Sequence, residues 1–296
     1  MQLFFLGKWI SRVALCAVFV AVCGVSGGLC AETKREPIPV FVSILPQKYF
    51  VQQIGGDRVR VGVLVGEGQK PDTVDLTHRQ VAHLGQSRIF FLVGVPFEDA
   101  WLPRIQKAHP ALKVVALHAK SAPLKRQLTD HHGHHENPHR WLSPVWVKSA
   151  ANVILQALIE EDPSSAAYFR KNHHRFIREL VTLDKEIRDL LEPIQQRVFL
   201  TYHPAWEHFA NTYGLKEIPI EMEGKEPGPR SLSEVVEQGK VNRVKVIFVQ
   251  KQFSKSIVEP VARALNARVV SVDPLAENYV SNMRDVARQF VEAMKE

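Results

Sequence analysis

Cysteine is almost missing from this 296-residue chain, and the three present, Cys16, Cys23 and Cys30, all fall within the first thirty residues. The remainder can build neither a disulfide framework nor a thiolate metal site, so any metal it holds is held by nitrogen and oxygen. Catalytic signatures are missing as well. There is no Gly-x-Ser-x-Gly elbow, no phosphate loop and no dinucleotide fingerprint. A His-Glu-x-x-His zinc motif is also absent, His203 and His208 standing five apart where it needs four. A metallohydrolase would need an open coordination position beside a general acid or base, a part only Glu223 or Glu226 nominally offers. The chain therefore reads as a binding protein and not an enzyme.

What is present suits a folded protein. With 45% hydrophobic and 23% charged residues, the chain can bury one large or two medium cores, which excludes disordered, collagen-like and mini-protein classes. The formal charge of +7 raises a nucleic-acid reading, because phosphate backbones reward excess Lys and Arg. Location argues against it. Lys8 and Arg12 precede an apolar run, Val13 to Val25, followed by small residues and Gly27-Gly28-Leu29-Cys30-Ala31, the pattern of a secretory signal peptide cleaved after Ala31. The run is short for a membrane span. A lipid anchor on Cys30 is the weaker alternative, because bulky Leu29 stands where such a site wants a small residue. An exported, periplasmic chain does not normally meet nucleic acid, so the mild basicity reads as solvation or attraction to anionic surfaces.

The exported part shows one grammar twice. Pro39 to Ile44 is a β-branched strand pattern, Gln47 to Ile54 has helical spacing, and Gly55-Gly56 stops it. Val198 to Thr201, Pro204, a helical stretch from Ala205 to Thr212 and Gly214 repeat the order. The parallel continues through strands at Val59 to Val65 and Lys216 to Met222, polar loops, and helices at Asp75 to Leu84 and Leu232 to Gln238. It ends in strands at Arg88 to Val93 and Val244 to Val249, then Leu112 to Leu117 and Ala267 to Val272. The fold class is therefore α/β: two lobes, each a roughly four-stranded parallel sheet with flanking helices. Between them a charged amphipathic run from Ser164 to Leu191 has no glycine or proline and predicts one joining helix of roughly 40 Å. The expected organisation is signal peptide 1–31, first lobe 32–148, helical region 149–195 and second lobe 196–296.

Histidine is unevenly spread, five of thirteen lying between positions 131 and 139. His131, His132, His134 and His135 make a loop suited to secondary metal binding, since neutral imidazole is a borderline-soft ligand. His139 stands apart in Asn137-Pro138-His139-Arg140-Trp141-Leu142-Ser143-Pro144, where prolines and aromatics fix the backbone. His203 and Asp273 each follow a strand, and Asp72 sits in the loop after Val59 to Val65. All four occupy strand C-terminal ends, where α/β sheets place ligand-binding groups, two from each half around a cleft.

At these positions the chain, from about Val40 to its C-terminus, resembles the zinc and manganese substrate-binding proteins of bacterial ABC transporters. The resemblance rests on Ile54-Gly55-Gly56-Asp57-Arg58-Val59, Gly68-Gln69-Lys70-Pro71, Val93-Gly94-Val95-Pro96-Phe97-Glu98, Asn137 to Leu142, Thr201-Tyr202-His203, Glu223-Gly224-Lys225-Glu226-Pro227 and Val272-Asp273-Pro274-Leu275. It implies two α/β lobes joined by one long helix, a divalent metal between them, and delivery of that ion to an ABC permease in the cytoplasmic membrane. By motif position His139, His203 and Asp273 inherit ligand roles. The family's Gly-x-x-Pro-His reads here with Asp72 in the histidine's place. Either Asp72 ligates, or His78 or a histidine of the 131–135 loop completes the site, or water does. Zn2+ is the expected cargo, with Mn2+ or Fe2+ the alternative that a second carboxylate favours. The expected receptor is a monomer; a metal-dependent adhesin or metallochaperone is the remaining class.

Overall fold

A computed structural model describes residues 36–117 and 137–295, apart from 222, 223, 225 and 226. The signal-peptide segment and the histidines at 131, 132, 134 and 135 lie outside the described residues, as do Glu223 and Glu226. No helix among the described residues is long and apolar enough to cross a membrane.

The first half contains strands β1 (Ile38–Ile44), β2 (Val59–Val65), β3 (Ile89–Leu92) and β4 (Lys113–Ala116), ordered β2-β1-β3-β4. The second contains β5 (Val198–Thr201), β6 (Lys216–Pro219), β7 (Val246–Gln250) and β8 (Arg268–Val272), ordered β6-β5-β7-β8. Every pairing is parallel and the two orders are the same, so the repeated grammar is one topology used twice. The residues explain the strands. Val40, Val42 and Ile44 alternate inward on β1, while all four residues of β3, Ile89-Phe90-Phe91-Leu92, are buried, as a strand covered on both faces requires.

Helices carry the crossovers. In the first half they are α1 (Leu45–Gly55), α2 (His78–Leu84) and α3 (Pro96–Ala108), followed by α4 (Pro144–Glu161). The joining helix α5 runs Ala166–Leu191, and the second half adds α6 (Glu207–Tyr213), α7 (Pro229–Val241), α8 (Glu259–Leu265) and α9 (Tyr279–Met294). Gly56 and Gly214, the matching stops of the repeat, both take positive φ, 51° and 67°. A side chain at Gly56 would also meet the Tyr168 hydroxyl.

Helix α5 buries Phe169, Phe176, Leu180, Leu183, Ile187 and Leu191 on one stripe and packs on α1, α4 and α9. It thereby joins the halves: one apolar cluster takes in Phe90 and Phe91 of the first sheet and Phe199 and Phe248 of the second. Phe290 of α9 stacks on Phe248, 3.9 Å between centroids. A smaller cluster, including Leu200, Ile247 and Val261, covers the second sheet's other side.

Some boundaries differ from expectation. The helix expected from Asp75 begins at His78, because Thr77 takes the N-cap and pairs reciprocally with Gln80. The joining helix is α-helical only from Ala166; Pro163–Ser165 form a 3-10 turn ahead of it, fastened by both serine hydroxyls donating to Asp162. The strand expected over Lys216 to Met222 ends at Pro219, although Ile220 and Glu221 still donate backbone hydrogen bonds to Thr201 and Tyr202. Helices α3, α8 and α9 had no counterpart in the sequence reading; α3 carries Pro103 inside it, which hides its helical pattern.

Candidate metal centre

The parallel strands of each sheet end toward a cleft, and the loops leaving β2, β5, β7 and β8 line it together with the 137–143 segment. A small cavity of about 20 Å³ lies there, its walls including Asp72, His139 and His203 with Lys70, Gln252 and Phe253. That is room for one water or one ion.

The 137–143 segment is stitched across the cleft. Asn137 Nδ2 donates to the Pro204 carbonyl at 2.7 Å, the Asn137 carbonyl accepts from His208 Nε2 at 2.8 Å, and Trp141 Nε1 donates to the Pro274 carbonyl at 2.8 Å. His139 is thereby fixed, 7% exposed, with its Nδ1 2.9 Å from Asn137 Oδ1. An amide oxygen only accepts, so Nδ1 carries the proton and Nε2 keeps its lone pair. Burial, reinforced by His203 and His208, holds His139 well below the usual histidine range and therefore neutral.

His203 lies two residues past the end of β5. Its backbone N–H and carbonyl are both bonded by the Gln250 side chain, at 3.3 and 2.6 Å. Its Nδ1 lies 2.9 Å from Glu221 Oε2, a carboxylate that orients the ring in the way outer partners orient metal-bound histidines. The rings of His139 and His203 stand 5.1 Å apart, nearly edge to face. His203 Nε2 is buried without a hydrogen-bond partner and lies 3.3 Å from Asp72 Oδ2. Burial lowers the His203 pKa, but the Glu221 hydrogen bond and the charges of Asp72, Glu221 and Glu217 outweigh it, and the net shift is upward. Asp72 is pushed up by burial and by Glu221 against the pull of His203 and Lys70.

Asp273 follows β8 at the cavity's edge, where Pro274 and Leu275 form part of the wall. Its Oδ1 accepts from the Leu275 N–H at 2.9 Å and Gln252 Nε2 at 3.3 Å, and Oδ2 lies 3.7 Å from Lys251 Nζ. His78 heads α2 on an exposed turn. Among the described residues, no three ligating side chains are yet gathered around one point. Asp72, His139 and His203 thus share one cavity, and Asp273 sits beside it engaged elsewhere.

Two residues escaped the sequence reading. Sequence reasoning places Asn137 only in a fixed turn and gives Glu221 no role. The available signal for Glu221 was position: it leaves β6 just as the loop bearing Asp72 leaves β2 in the other half, whereas the acids considered there were Glu223 and Glu226.

The family profile described as zinc-uptake complex component A, periplasmic (ZnuA), matches residues 40–293. A solved structure of ZnuA superposes with a TM-score of 0.80 at 35% identity, covering 87% of this chain and 99% of that one. A zinc-bound ZnuA deletion mutant gives 0.80 and 35%, covering 88% and 99%. The high-affinity zinc uptake system protein ZnuA of Bacillus subtilis is 26% identical across 98% of this chain and 95% of its own length. The chain therefore belongs to the ZnuA family, the zinc-binding receptors of ABC transporters, a family of substrate-binding proteins and not of enzymes.

Proposed function

We propose that this chain captures a single zinc ion from the extracytoplasmic space through His139, His203, Asp72 and Asp273 and surrenders it to an ABC permease in the cytoplasmic membrane. One observation supports the site above others: His203 Nε2, unpartnered, stands 3.3 Å from Asp72 Oδ2. Two atoms bonded to tetrahedral zinc at about 2.0–2.1 Å lie about 3.3–3.4 Å apart, so this pair already spans one edge of a zinc tetrahedron. Both imidazoles have Nδ1 tied to an oxygen, which directs Nε2 to the ion. Asp273 completes the set by leaving Gln252 and Lys251 as the ion draws the walls together. The nitrogen content favours zinc over manganese or ferrous iron, which prefer oxygen-rich octahedra. The lobe limits at 148 and 196, a signal peptide over 1–31 with cleavage in preference to lipidation at Cys30, a monomeric receptor and a secondary store at His131, His132, His134 and His135 complete the reading.

The test is isothermal titration of chelator-stripped protein with zinc, and with zinc in competition with manganese. His139→Ala and His203→Ala are expected to abolish tight binding and Asp72→Ala to weaken it less. Deletion of residues 130–136 is expected to lower stoichiometry while the tight site survives. Wild-type affinity in His203→Ala would overturn the assignment, and manganese displacing zinc would overturn the choice of cargo.

A further inference from the structure

Two side chains at the cavity mouth have no part in coordination, yet they join its walls. Lys70 leaves the loop after β2, which Gln69 braces by accepting from the Gly66 N–H at 2.8 Å, and Lys70's own carbonyl accepts from Thr73. Its Nζ lies over the ring of Phe253, 3.9 Å from the centroid. Phe253 belongs to the other half: it follows β7, its N–H bonded to the Gln250 carbonyl, its ring edge to face with Tyr202 and stacked at 25° on His203, centroids 5.8 Å apart. The Lys70 ammonium thus rests on an aromatic face beside the route a cation takes to His203, and its charge also acts on Asp72.

We infer that Lys70 and Phe253 form a cation–π latch across the cleft mouth that sets how fast metal enters and leaves the site. The inference rests on the zinc-receptor reading above. The Asp72–His203 contact that also bridges the halves is replaced by metal bonds on loading, whereas the Lys70–Phe253 contact need not break. On this view it ties the loops in both states. A parked ammonium also repels a passing divalent ion from either direction, so the latch acts on the barrier to passage more than on the difference between empty and loaded states. Lys70 and Phe253 are positioning residues on this view, and the signature, read from the uncharged partner Phe253, is kinetic: capture and release change together while the equilibrium constant changes little.

Stopped-flow release of zinc into excess chelator, with capture followed separately, tests this on the exported chain as wild type, Phe253→Leu, Lys70→Met and the double variant. Phe253→Leu is expected to raise both rates about two- to five-fold, the scale of a partly exposed cation–π contact. In the Lys70→Met background the same change is expected to do nothing further, because the partner is gone. Lys70→Arg and Phe253→Tyr, which keep cation and ring, are expected to retain wild-type rates. An equal effect of Phe253→Leu in both backgrounds would show that the ring serves only to pack His203, and would overturn the latch while the zinc site stands. A change in release alone, with capture untouched, would overturn it equally. Failure of the wild-type chain to hold tight zinc would overturn the underlying receptor reading, and is read from stoichiometry before any rate is measured.

Discussion

Replacing Glu221 by glutamine keeps an acceptor near His203 Nδ1, now at 2.9 Å from the carboxylate, and removes only its charge; leucine removes both. The carboxylate is 6% exposed, so its bond to the ring falls in the charge-assisted range, about 1.5–3 kcal/mol, and a neutral acceptor keeps about half of that. Zinc on Nε2 makes Nδ1–H a better donor, so the bond tightens on loading and part of its worth appears as affinity. Glu221→Gln is expected to weaken zinc about three- to ten-fold and Glu221→Leu about ten- to a hundred-fold, the usual range for partners of metal-bound histidines. The pH dependence supplies an independent check. Burial pulls the His203 pKa down but Glu221, with Asp72 and Glu217, carries it above its ordinary value near 6.5, so protons compete with zinc for Nε2 at higher pH than in a free imidazole. Glutamine relieves that competition. Its deficit is therefore largest at alkaline pH and narrows as pH falls. Titration of chelator-stripped protein against a chromophoric zinc chelator, from about pH 8 to 6, with circular dichroism as the fold control, measures both effects. Affinity in Glu221→Leu within two-fold of wild type, or a Glu221→Gln deficit that widens toward acid, would refute the role given to this carboxylate.

Trp141→Phe removes the buried donor to the Pro274 carbonyl and is expected to cost about 2–3 kcal/mol in chemical denaturation and to weaken zinc, since the bond ties the His139 segment to the Asp273 turn; a stability loss with unchanged zinc affinity would separate the two. His173 of α5 is 7% exposed with both ring nitrogens buried and unpartnered, so His173→Leu is expected to raise stability by about 1 kcal/mol, seen as a Tm higher by about 2 °C or more. Glu98 is fully buried, and burial pushes its carboxyl up to about 7 despite hydrogen bonds from Ser43, Val93 and Gly94. A raised acid contributes stability below its unfolded value near 4.3 and loses it as pH rises toward 7, so Glu98→Gln is expected to flatten the fall in unfolding free energy over that interval, by roughly 3 kcal/mol. Parallel slopes in the two proteins would show that Glu98 does not titrate there.

Legibility in the sequence followed the range of the interactions. Strand alternation and the stop glycines are local, so both sheets and the repeat could be read directly, as could the positions of Asp72, His139 and His203 at strand ends and a fixed turn, which the fold brings to one cavity. Long-range pairings left no such trace. Trp141 and Pro274 are 133 residues apart, and the Asn137 bond to Pro204 spans 67. Nothing near either residue announces its partner. Glu221 is hidden for a related reason: its importance comes from His203, 18 residues earlier on the neighbouring strand's end, and not from any motif of its own. The occupied state of Asp273 is similarly invisible, because Gln252 and Lys251 reach it from a different loop.

The doubled topology explains why one site forms and not two. Aligning Val40-Phe41-Val42-Ser43-Ile44-Leu45-Pro46 with Val198-Phe199-Leu200-Thr201-Tyr202-His203-Pro204 sets Ser43 against Thr201 and Leu45 against His203. The structural partners are retained on both sides: Ser43 donates to buried Glu98, and Thr201 donates to half-buried Glu217 at 2.6 Å, each carboxyl pushed up to about 7 chiefly by loss of solvent. The ligand position is not retained. Leu45 begins α1 as an apolar residue, and the first-half side chains that meet the second half's His203 come from elsewhere, Asp72 after β2 and His139 beyond β4. Two equivalent crevices at strand ends are what the topology supplies. Unequal decoration turns them into one cavity whose walls come from both halves, which is where the proposed zinc site lies.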